Sequence, residues 1–426
     1  MNTTELLRAV TGGNFDSRIL SLYGKSELEA QRARYANAIT HFLTLYGERE
    51  NTCLFSVPGR SELSGNHTDH NRGRVIATAV NLDIIAVAAP TEKEEIHLAS
   101  EGYPESTVNL KAFATPDSTR FGTSDALIAG VCQGLCHHSY KAGGFVAYTT
   151  SSVPAGAGLS SSAAFENMIG TIENHLYNKG EIDAVTIALI SQYAENDFFG
   201  KPSGLMDQLA CAVGGIIAID FENKAAPVTE KIDFDATASD YCLVIVNTRG
   251  SHANLTPDYT AIPAEMKAVA HALGGDVLRD VSEEAVLENL PALRAAHGDR
   301  AVLRALHFFS ENKRVSAQKK ALQKGDLSLF FSLVRESGRS SFCYLQNVFS
   351  TQNPREQGVS LALCLAEQFL SSREGAWRVH GGGFAGTVQA FVRISDLPGF
   401  ISLMESAFGK GACLPLSIRK EGAIRL

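Results

Sequence analysis

The sequence has little of what would tie the protein to a membrane or to nucleic acid. No apolar run approaches the roughly 20 residues that a membrane-spanning helix needs, and the first residues carry neither a basic segment nor an apolar one. Lys and Arg number 38 against 46 Asp and Glu, so the formal net charge is −8. The clustered positive charge of a nucleic-acid binder is therefore missing. We expect a cytoplasmic protein with no membrane partner and no nucleic-acid partner.

Paired cysteines are also missing. The eight cysteines are scattered along the chain, and no two of them form a C-x-x-C pair. Cys132 and Cys136 are followed by His137 and His138, without the second ligand pair that a zinc module needs. We therefore expect free thiols in a reducing compartment.

The glycine-rich segment at 156–162 matches neither of two common phosphate-binding patterns. It contains no lysine, which excludes G-x-x-x-x-G-K-[ST], and Ser161 stands where G-x-G-x-x-G has its third glycine. A strand pattern precedes the segment and a helix pattern follows it. Glycine lets backbone N–H groups approach phosphate oxygens, a helix start favours anions, and a serine hydroxyl can bind Mg²⁺. The alternatives are a flexible linker or serine capping of the helix, although the closely flanking apolar patterns argue against a linker.

The rest of the composition is that of a globular protein. Apolar residues make up 45% of the 426 residues and charged residues 20%, which suits two or three domains. Short apolar runs bounded by turn-forming residues predict strands at 54–57, 75–80, 84–88, 145–149, 214–220 and 242–246. Apolar residues at helical spacing predict helices within 1–50 and at 165–176 and 182–196. Charged residues around 221–235 mark a boundary, so we expect two α+β domains, 1–225 and 226–426.

Three segments resemble, in the same order, the motifs of the GHMP kinases, the family of galacto-, homoserine, mevalonate and phosphomevalonate kinases. Residues 154–163 resemble the second motif of that family. Residues 58–71 are similar to the signature of the galactokinase branch, P-G-R-x-N-L-I-G-E-H-T-D-Y-N. Residues 379–386 are similar to the third motif, T-G-[AG]-G-F-G-G. The chain is therefore identified as a member of this family by motifs that extend over most of its length.

This resemblance implies an α+β, two-domain GHMP kinase fold. The N-terminal α/β domain would be like domain 2 of ribosomal protein S5, the C-terminal α+β domain would be ferredoxin-like, and the active site would lie in the interdomain cleft. The resemblance also implies an ATP-dependent sugar 1-kinase acting on the anomeric hydroxyl of galactose. Its partners would be a small-molecule sugar and ATP, and its metal would be Mg²⁺. ATP would bind along the glycine- and serine-rich loop, through Gly156, Gly158, Leu159, Ser160, Ser161 and Ser162.

The segment 194–208 resembles the family pattern A-E-x-x-[FY]-x-G-x-x-C-G-I-M-D-Q. By that resemblance Glu195 and Ser162 bind the metal, and Asp207 is the catalytic carboxylate. Arg60 would hold Asp207 ionised and place positive charge near the transferring phosphoryl group. Without the family pattern, an Asp at this position would be interpreted as a helix cap.

The resemblance also implies a set of sugar-binding residues, namely Asn66, His67, Asp69, Gly204 and Tyr259. Two positions depart from the galactokinase signature, because Asn66 replaces its glutamate and His70 its tyrosine. The amide oxygen of Asn66 can still accept a hydrogen bond, so galactose remains possible. The loss of a negative charge would also tolerate a carboxylate at C6. The alternatives are therefore a related sugar or uronate 1-kinase, such as a galacturonokinase, or a non-catalytic sensor of galactose and ATP.

Two further local patterns have other interpretations. His67, Asp69 and His70 are metal-ligand types, but their spacing does not place two histidines on one helix face. The segment 380–383 resembles the oxyanion-hole HGGG of lipases, which requires a G-x-S-x-G elbow further along the chain, and none follows. We therefore expect the glycines to lie in a tight turn, close to the triphosphate of ATP and to the first two motifs.

Overall fold

The structure is a computed structural model that describes residues 1–111, 115–154, 158–223, 226–234, 239–251 and 254–426. Its helices are α1 Thr3–Thr11, α2 Asp16–Tyr23, α3 Leu28–Tyr46, α4 Ser124–His137, α5 Ser161–Tyr177, α6 Ala184–Tyr193, α7 Met206–Val213, α8 Thr256–Ala272, α9 Glu283–Glu288, α10 Leu290–Gln323, α11 Leu327–Ser340, α12 Gly358–Leu370 and α13 Leu397–Phe408. Helix α10 is interrupted at Gly298, whose φ of 81° is not helical. Single π-helical turns lie at Ala194–Phe198 and Ser341–Leu345.

The strands belong to two sheets in this part of the chain. They are β1 Cys53–Ser64, β2 Arg74–Pro90, β3 Glu95–Ser100, β4 Ser106–Asn109, β5 Phe145–Ser151, β6 Ile216–Asp220, β7 Val228–Ile232, β8 Tyr241–Asn247, β9 Gly375–His380, β10 Thr387–Arg393, β11 Cys413–Leu416 and β12 Ile424–Arg425. The larger sheet has the order β12-β1-β2-β5-β3-β4, and β6 pairs with the first half of β2 and with β7. The smaller, antiparallel sheet has the order β11-β8-β10-β9.

Helices cover both faces of the larger sheet, so β1 is buried at every residue from Cys53 to Ser64. Its side chains alternate between the two faces, with Leu54 packed among residues of α1–α3 and Phe55 among residues of α4 and α5. A strand buried on both faces can hold polar residues only where each has a partner. Arg60, in the middle of β1, is therefore expected to be paired.

The smaller sheet is also covered on both faces. Val244 and Val246 of β8 pack with residues of α12 and α13, whereas Leu243 and Ile245 pack with residues of α10 and α11. The latter group is continuous with the apolar residues under the larger sheet. One apolar core therefore joins the two sheets and fixes their relative position.

The predicted strands and helices are confirmed, with one correction. The runs 75–80 and 84–88 were expected to be separate strands because Asn81 and Asp83 favour turns, but they form the single strand β2. Asn81 stays in the strand because its side chain and backbone bond to Ser417 at 2.9 and 3.0 Å. The Asp83 carboxylate is fully buried and ion-paired with Arg34 and Arg419. Tertiary partners thus override the local turn preference.

The predicted domain boundary at 225/226 stays a prediction. Strand β7, which follows it, belongs to the larger sheet through its pairing with β6, and the last strand, β12, returns to β1. In the described part of the chain, no helix combines the length and the apolar character that crossing a bilayer would require. The expected cytoplasmic location stays a prediction.

Candidate active site

Arg60 and Asp207 form a bidentate ion pair. Arg60 lies on β1 and Asp207 on the first turn of α7, and the bonds from Nε to Oδ1 and from Nη2 to Oδ2 are both 2.7 Å. The Arg60 side chain is 9% exposed and that of Asp207 is 30% exposed, so the carboxylate is accessible from solvent. Burial opposes ionisation, but the charge and hydrogen bonds of Arg60 lower the pKa of Asp207 below its usual range. Asp207 is therefore a carboxylate at neutral pH.

The described part of the glycine- and serine-rich loop, residues 158–162, rests directly on this ion pair. Gly156 lies outside the described residues, but Gly158, with φ of 71°, accepts a 2.5 Å hydrogen bond on its carbonyl from Nη1 of Arg60. Leu159 is fully buried, and its carbonyl accepts the backbone N–H of Arg60 at 3.1 Å. Ser160 has a left-handed backbone, and its hydroxyl donates to the Asp207 carboxylate. These contacts fix the loop against the two predicted catalytic residues.

Helix α5 begins at Ser161, immediately after the loop. The first N–H groups of a helix have no partner within it, and they carry the positive end of the helix dipole. Ser161 and Ser162 are both partly exposed. The end of a 17-residue helix is therefore available to an anion beside Asp207.

Glu195 is the centre of a second polar cluster. It lies on the π-helical turn that continues α6 and is only 2% exposed. Its Oε1 accepts bonds from Ser162 Oγ at 3.2 Å and from Lys201 Nζ at 2.7 Å, and its Oε2 accepts one from Gln208 Nε2 at 2.8 Å. A hydroxyl and a carboxylate are the hard oxygen donors that Mg²⁺ prefers when phosphates complete its coordination. Ser162 and Glu195 therefore fit the predicted metal site.

Glu166 also belongs to this polar cluster, although the sequence analysis did not include it among the site residues. Its Oε2 accepts a 3.1 Å bond from Gln208 Nε2, the same nitrogen that bonds Glu195. Burial and the nearby charge of Glu195 raise the pKa of Glu166 well above its usual range. The signal was present, because Glu166 follows Ser162 by four residues and shares its face of α5.

Three of the predicted sugar-binding side chains converge on the glycines 381–383. Asn66 Nδ2 donates to the carbonyl of Gly381 at 2.8 Å, and His67 Nε2 donates to the carbonyl of Gly382 at 3.0 Å. Tyr259 Oη donates to the carbonyl of Gly383 at 2.9 Å. Burial lowers the pKa of His67 to about 4, so the ring is neutral and has a proton for only one of its nitrogens. The first and third motifs thus meet.

Asn66 is completely buried. Besides its bond to Gly381, its Oδ1 accepts Asn347 Nδ2 at 2.8 Å and Ser341 Oγ at 3.2 Å. The amide oxygen is thus bonded within the protein, and the role of Asn66 as a sugar contact stays a prediction. No local pattern in the sequence pointed to Asn347 or Ser341.

The two remaining predicted sugar residues, Asp69 and Gly204, touch each other. A Cβ placed on Gly204 would lie 2.5 Å from Oδ2 of Asp69, so any side chain there would displace the carboxylate. The Asp69 side chain is 18% exposed. Gly204 precedes α7 by two residues, which places Asp69 at the same helix end as Asp207.

His380 connects the third motif to the loop. Its ring nitrogens are bonded to Ser61 Oγ at 3.1 Å and to Thr387 Oγ1 at 2.9 Å. A Cβ on Gly158 would lie 3.1 Å from its ring, so only glycine fits without a shift. Burial, assisted by the charge of Arg60, lowers the pKa of His380 to about 3 and keeps the ring neutral. The third motif thus contacts the loop through His380, and its glycines contact the first motif.

Comparison with known proteins agrees with this geometry. The family model of the GHMP kinases N terminal domain matches residues 126–215, which contain the loop, Glu195 and Asp207. The galactokinase galactose-binding signature matches residues 40–90, which contain Arg60, Asn66 and their neighbours. Fold and site thus define a kinase of the GHMP class.

Sequence similarity to curated galactokinases identifies the branch of this class. A galactokinase of Clostridium tetani is 30% identical over 377 residues, which are 87% of this chain and 91% of that protein. A galactokinase of Streptomyces coelicolor is 31% identical over 376 residues, which are 86% of this chain and 91% of that protein. The chain belongs to the galactokinase family of the GHMP kinases.

Solved structures share the fold. Lactococcus lactis galactokinase complexed with galactose has a TM-score of 0.77 at 23% identity, with 92% of this chain and 100% of that chain covered. Methanococcus jannaschii mevalonate kinase has a TM-score of 0.61 at 16% identity, with 87% and 99% covered. The predicted two-domain GHMP kinase fold is confirmed.

Proposed function

We propose that this protein transfers the γ-phosphoryl group of ATP to the anomeric hydroxyl of galactose, giving galactose 1-phosphate and ADP. The observation that carries the proposal is the Arg60–Asp207 pair, which lies directly beneath the loop and beside the start of α5. The family membership supports ATP and a small-molecule sugar as the two substrates. The Lactococcus lactis galactokinase, which shares the fold, forms a complex with galactose.

Asp207 would bind the attacking hydroxyl. Its carboxylate is partly exposed and ionised, so it can accept the hydroxyl proton and orient the oxygen toward the γ-phosphorus. Because Arg60 lowers the pKa of Asp207, the proton is transferred late, when the new P–O bond has made the hydroxyl more acidic. Arg60 also places positive charge where the phosphoryl group becomes more negative.

Ser162 and Glu195 would hold Mg²⁺. When bound, the ion neutralises charge on the β- and γ-phosphates. Gln208 fixes the second oxygen of Glu195 at 2.8 Å, so the first oxygen keeps its direction toward Ser162. The backbone N–H groups at the start of α5 would bind phosphate oxygens.

The metal assignment predicts that Glu195→Gln raises the Mg²⁺ concentration for half-maximal rate by roughly 10-fold or more. A neutral amide is a weaker ligand than a carboxylate for a hard cation. The measurement is the initial rate against free Mg²⁺ at fixed ATP. Glu173→Gln is the matched control, because Glu173 is a buried glutamate like Glu195, but it lies on α5 and accepts the backbone N–H of Gly143 instead of a Ser162 hydroxyl. An unchanged Mg²⁺ dependence in Glu195→Gln would contradict the assignment.

The sugar is tested by a panel of galactose, N-acetylgalactosamine and galacturonate at matched Mg²⁺ and ATP. We expect galactose to have the highest kcat/KM. The carbonyl oxygens of 381–383 accept bonds from Asn66, His67 and Tyr259, and the charge of Asp69 acts on His67. This negative charge disfavours a C6 carboxylate. A higher kcat/KM for galacturonate would instead identify a uronate kinase. Tight galactose binding without ADP release would identify a sensor.

A further inference from the structure

Lys201 lies next to the proposed metal site but is neither a proposed metal ligand nor a proposed catalytic residue. Its Nζ lies 2.7 Å from Oε1 of Glu195, the same oxygen that accepts the Ser162 hydroxyl at 3.2 Å. A positive charge is thus already bonded to the oxygen that would face Mg²⁺ under the proposed function. The Lys201 side chain is 59% exposed, whereas that of Glu195 is 2% exposed.

The backbone holds Lys201 in place while its side chain remains accessible. Its N–H donates to the carbonyl of Glu195 at 3.1 Å. It follows Gly200, whose φ of 76° makes the turn out of the π-helical segment. The ammonium sits on a flexible four-carbon stem and has three donors, so it can change partners without movement of the backbone.

The local charges indicate why this lysine is needed. Glu166 and Glu195 accept bonds from the same Gln208 nitrogen, and the charge of Asp207 also acts on Glu166. Arg60 is already paired with both oxygens of Asp207. Burial opposes the charged form of Lys201, but its hydrogen bond to Glu195 and the neighbouring carboxylates raise its pKa. Lys201 therefore compensates the charge of Glu195 in the protein without nucleotide.

We propose that Lys201 is a phosphate-binding residue that exchanges Glu195 for the terminal phosphates of ATP. Two cations on one carboxylate oxygen repel each other, so Lys201 leaves Oε1 when the metal site fills. The freed ammonium then binds a phosphate oxygen, with the charge-assisted hydrogen bond that a lysine typically gives a phosphate. No covalent bond is made or broken in this exchange. The inference rests on the proposed function of the same site.

The test is ATP binding at saturating Mg²⁺ in the absence of sugar, measured by calorimetry, because Lys201 is free to bind phosphate only when the metal site is filled. In Lys201→Met we expect the Kd for ATP to rise roughly 10-fold or more, because a charge-assisted bond is lost. Lys201→Arg should keep most of the affinity, since the charge remains. Lys319→Met is the control, because Lys319 pairs with Glu230 on the surface between α10 and β7.

A second readout is Mn²⁺ binding without nucleotide, measured by electron paramagnetic resonance. Removal of the competing ammonium should lower the Kd for Mn²⁺ in Lys201→Met, and Lys201→Gln should give the same direction if the methionine variant does not fold. Unchanged ATP and Mn²⁺ affinities in a folded variant would overturn the exchange. If the wild type nevertheless phosphorylates galactose, the proposed function is still supported. Absence of ATP binding in the wild type would overturn both.

Discussion

Asp207→Asn is expected to lower kcat for galactose phosphorylation by roughly 10²–10⁴-fold, the contribution typical of a positioned acid–base group. The amide is similar in size, so the loop contacts of Arg60 with Gly158 and Leu159 remain. ATP affinity should therefore change little. What is lost is the ionised oxygen that accepts the sugar hydroxyl proton.

Steady-state kinetics and calorimetric ATP titration measure the two halves of this prediction. Ser160→Ala is the matched control, because it removes the hydroxyl bond to Asp207 and leaves the carboxylate in place. Its effect on kcat should be much smaller. Near-normal turnover in Asp207→Asn would show that another group accepts the proton.

Asp83→Asn is expected to lower the free energy of unfolding by about 3–5 kcal/mol, as the loss of one partner from a buried ion pair usually does. Asp83 and Arg419 are both completely buried, and Arg34 Nη1 lies 2.6 Å from Oδ1 of Asp83. The hydroxyls of Ser56 and Tyr23 also donate to the carboxylate. With the charge removed, the two guanidinium groups lose their shared counter-ion.

The stabilisation by Asp83 is expected to decrease as the pH falls. Burial raises the pKa of Asp83, but Arg34 and Arg419 outweigh it, so the pKa in the folded protein lies below its usual range. The carboxylate therefore stabilises the fold fully above the unfolded pKa, and the contribution is lost as pH falls through the folded pKa. The difference between wild type and Asp83→Asn should be largest near neutral pH and shrink in acid.

Urea unfolding at pH 7 and at lower pH measures this difference. Asp220→Asn is the matched control, because Asp220 also binds two arginines, Arg74 at 2.6 Å and Arg279 at 3.1 Å, but is 24% exposed. Solvent screens such a pair, so its loss should cost much less. Equal losses in the two variants would contradict a special contribution from burial at Asp83.

Much of the fold and of the site could be predicted because the relevant signals are local. Apolar runs of strand length and apolar residues at helical spacing identify elements without knowledge of their neighbours. Ser162, Glu195 and Asp207 lie within short motifs whose residues the structure brings together. Glu166 could have been added by the same helical spacing.

Other features depend on partners that are distant in sequence. Asn347 and Ser341 bond Asn66 from 281 and 275 residues away, and no local pattern marks them. The continuity of β2 depends in the same way on Arg419, which is 336 residues from Asp83. Local propensity is a weak guide where a buried polar group is satisfied by such a partner.

The contact of Lys201 with Glu195 could not be predicted from the sequence for a different reason. It stands inside a motif that was recognised, at a position that the family pattern leaves open. A side chain of this length can face solvent, a carboxylate or a ligand, and its sequence position does not distinguish these. Its contact with Glu195 became visible only with the fold.

Phosphorus NMR of the product formed from galactose, ATP and Mg²⁺ tests the central claim most directly. We expect a single sugar phosphate whose phosphorus resonance is coupled to the anomeric proton, formed together with one equivalent of ADP. The same mixture with Asp207→Asn should show almost none of this product over the same time. A phosphate ester at another carbon, or ADP formed without a sugar phosphate, would contradict the assignment of this cleft to phosphorylation of the anomeric hydroxyl.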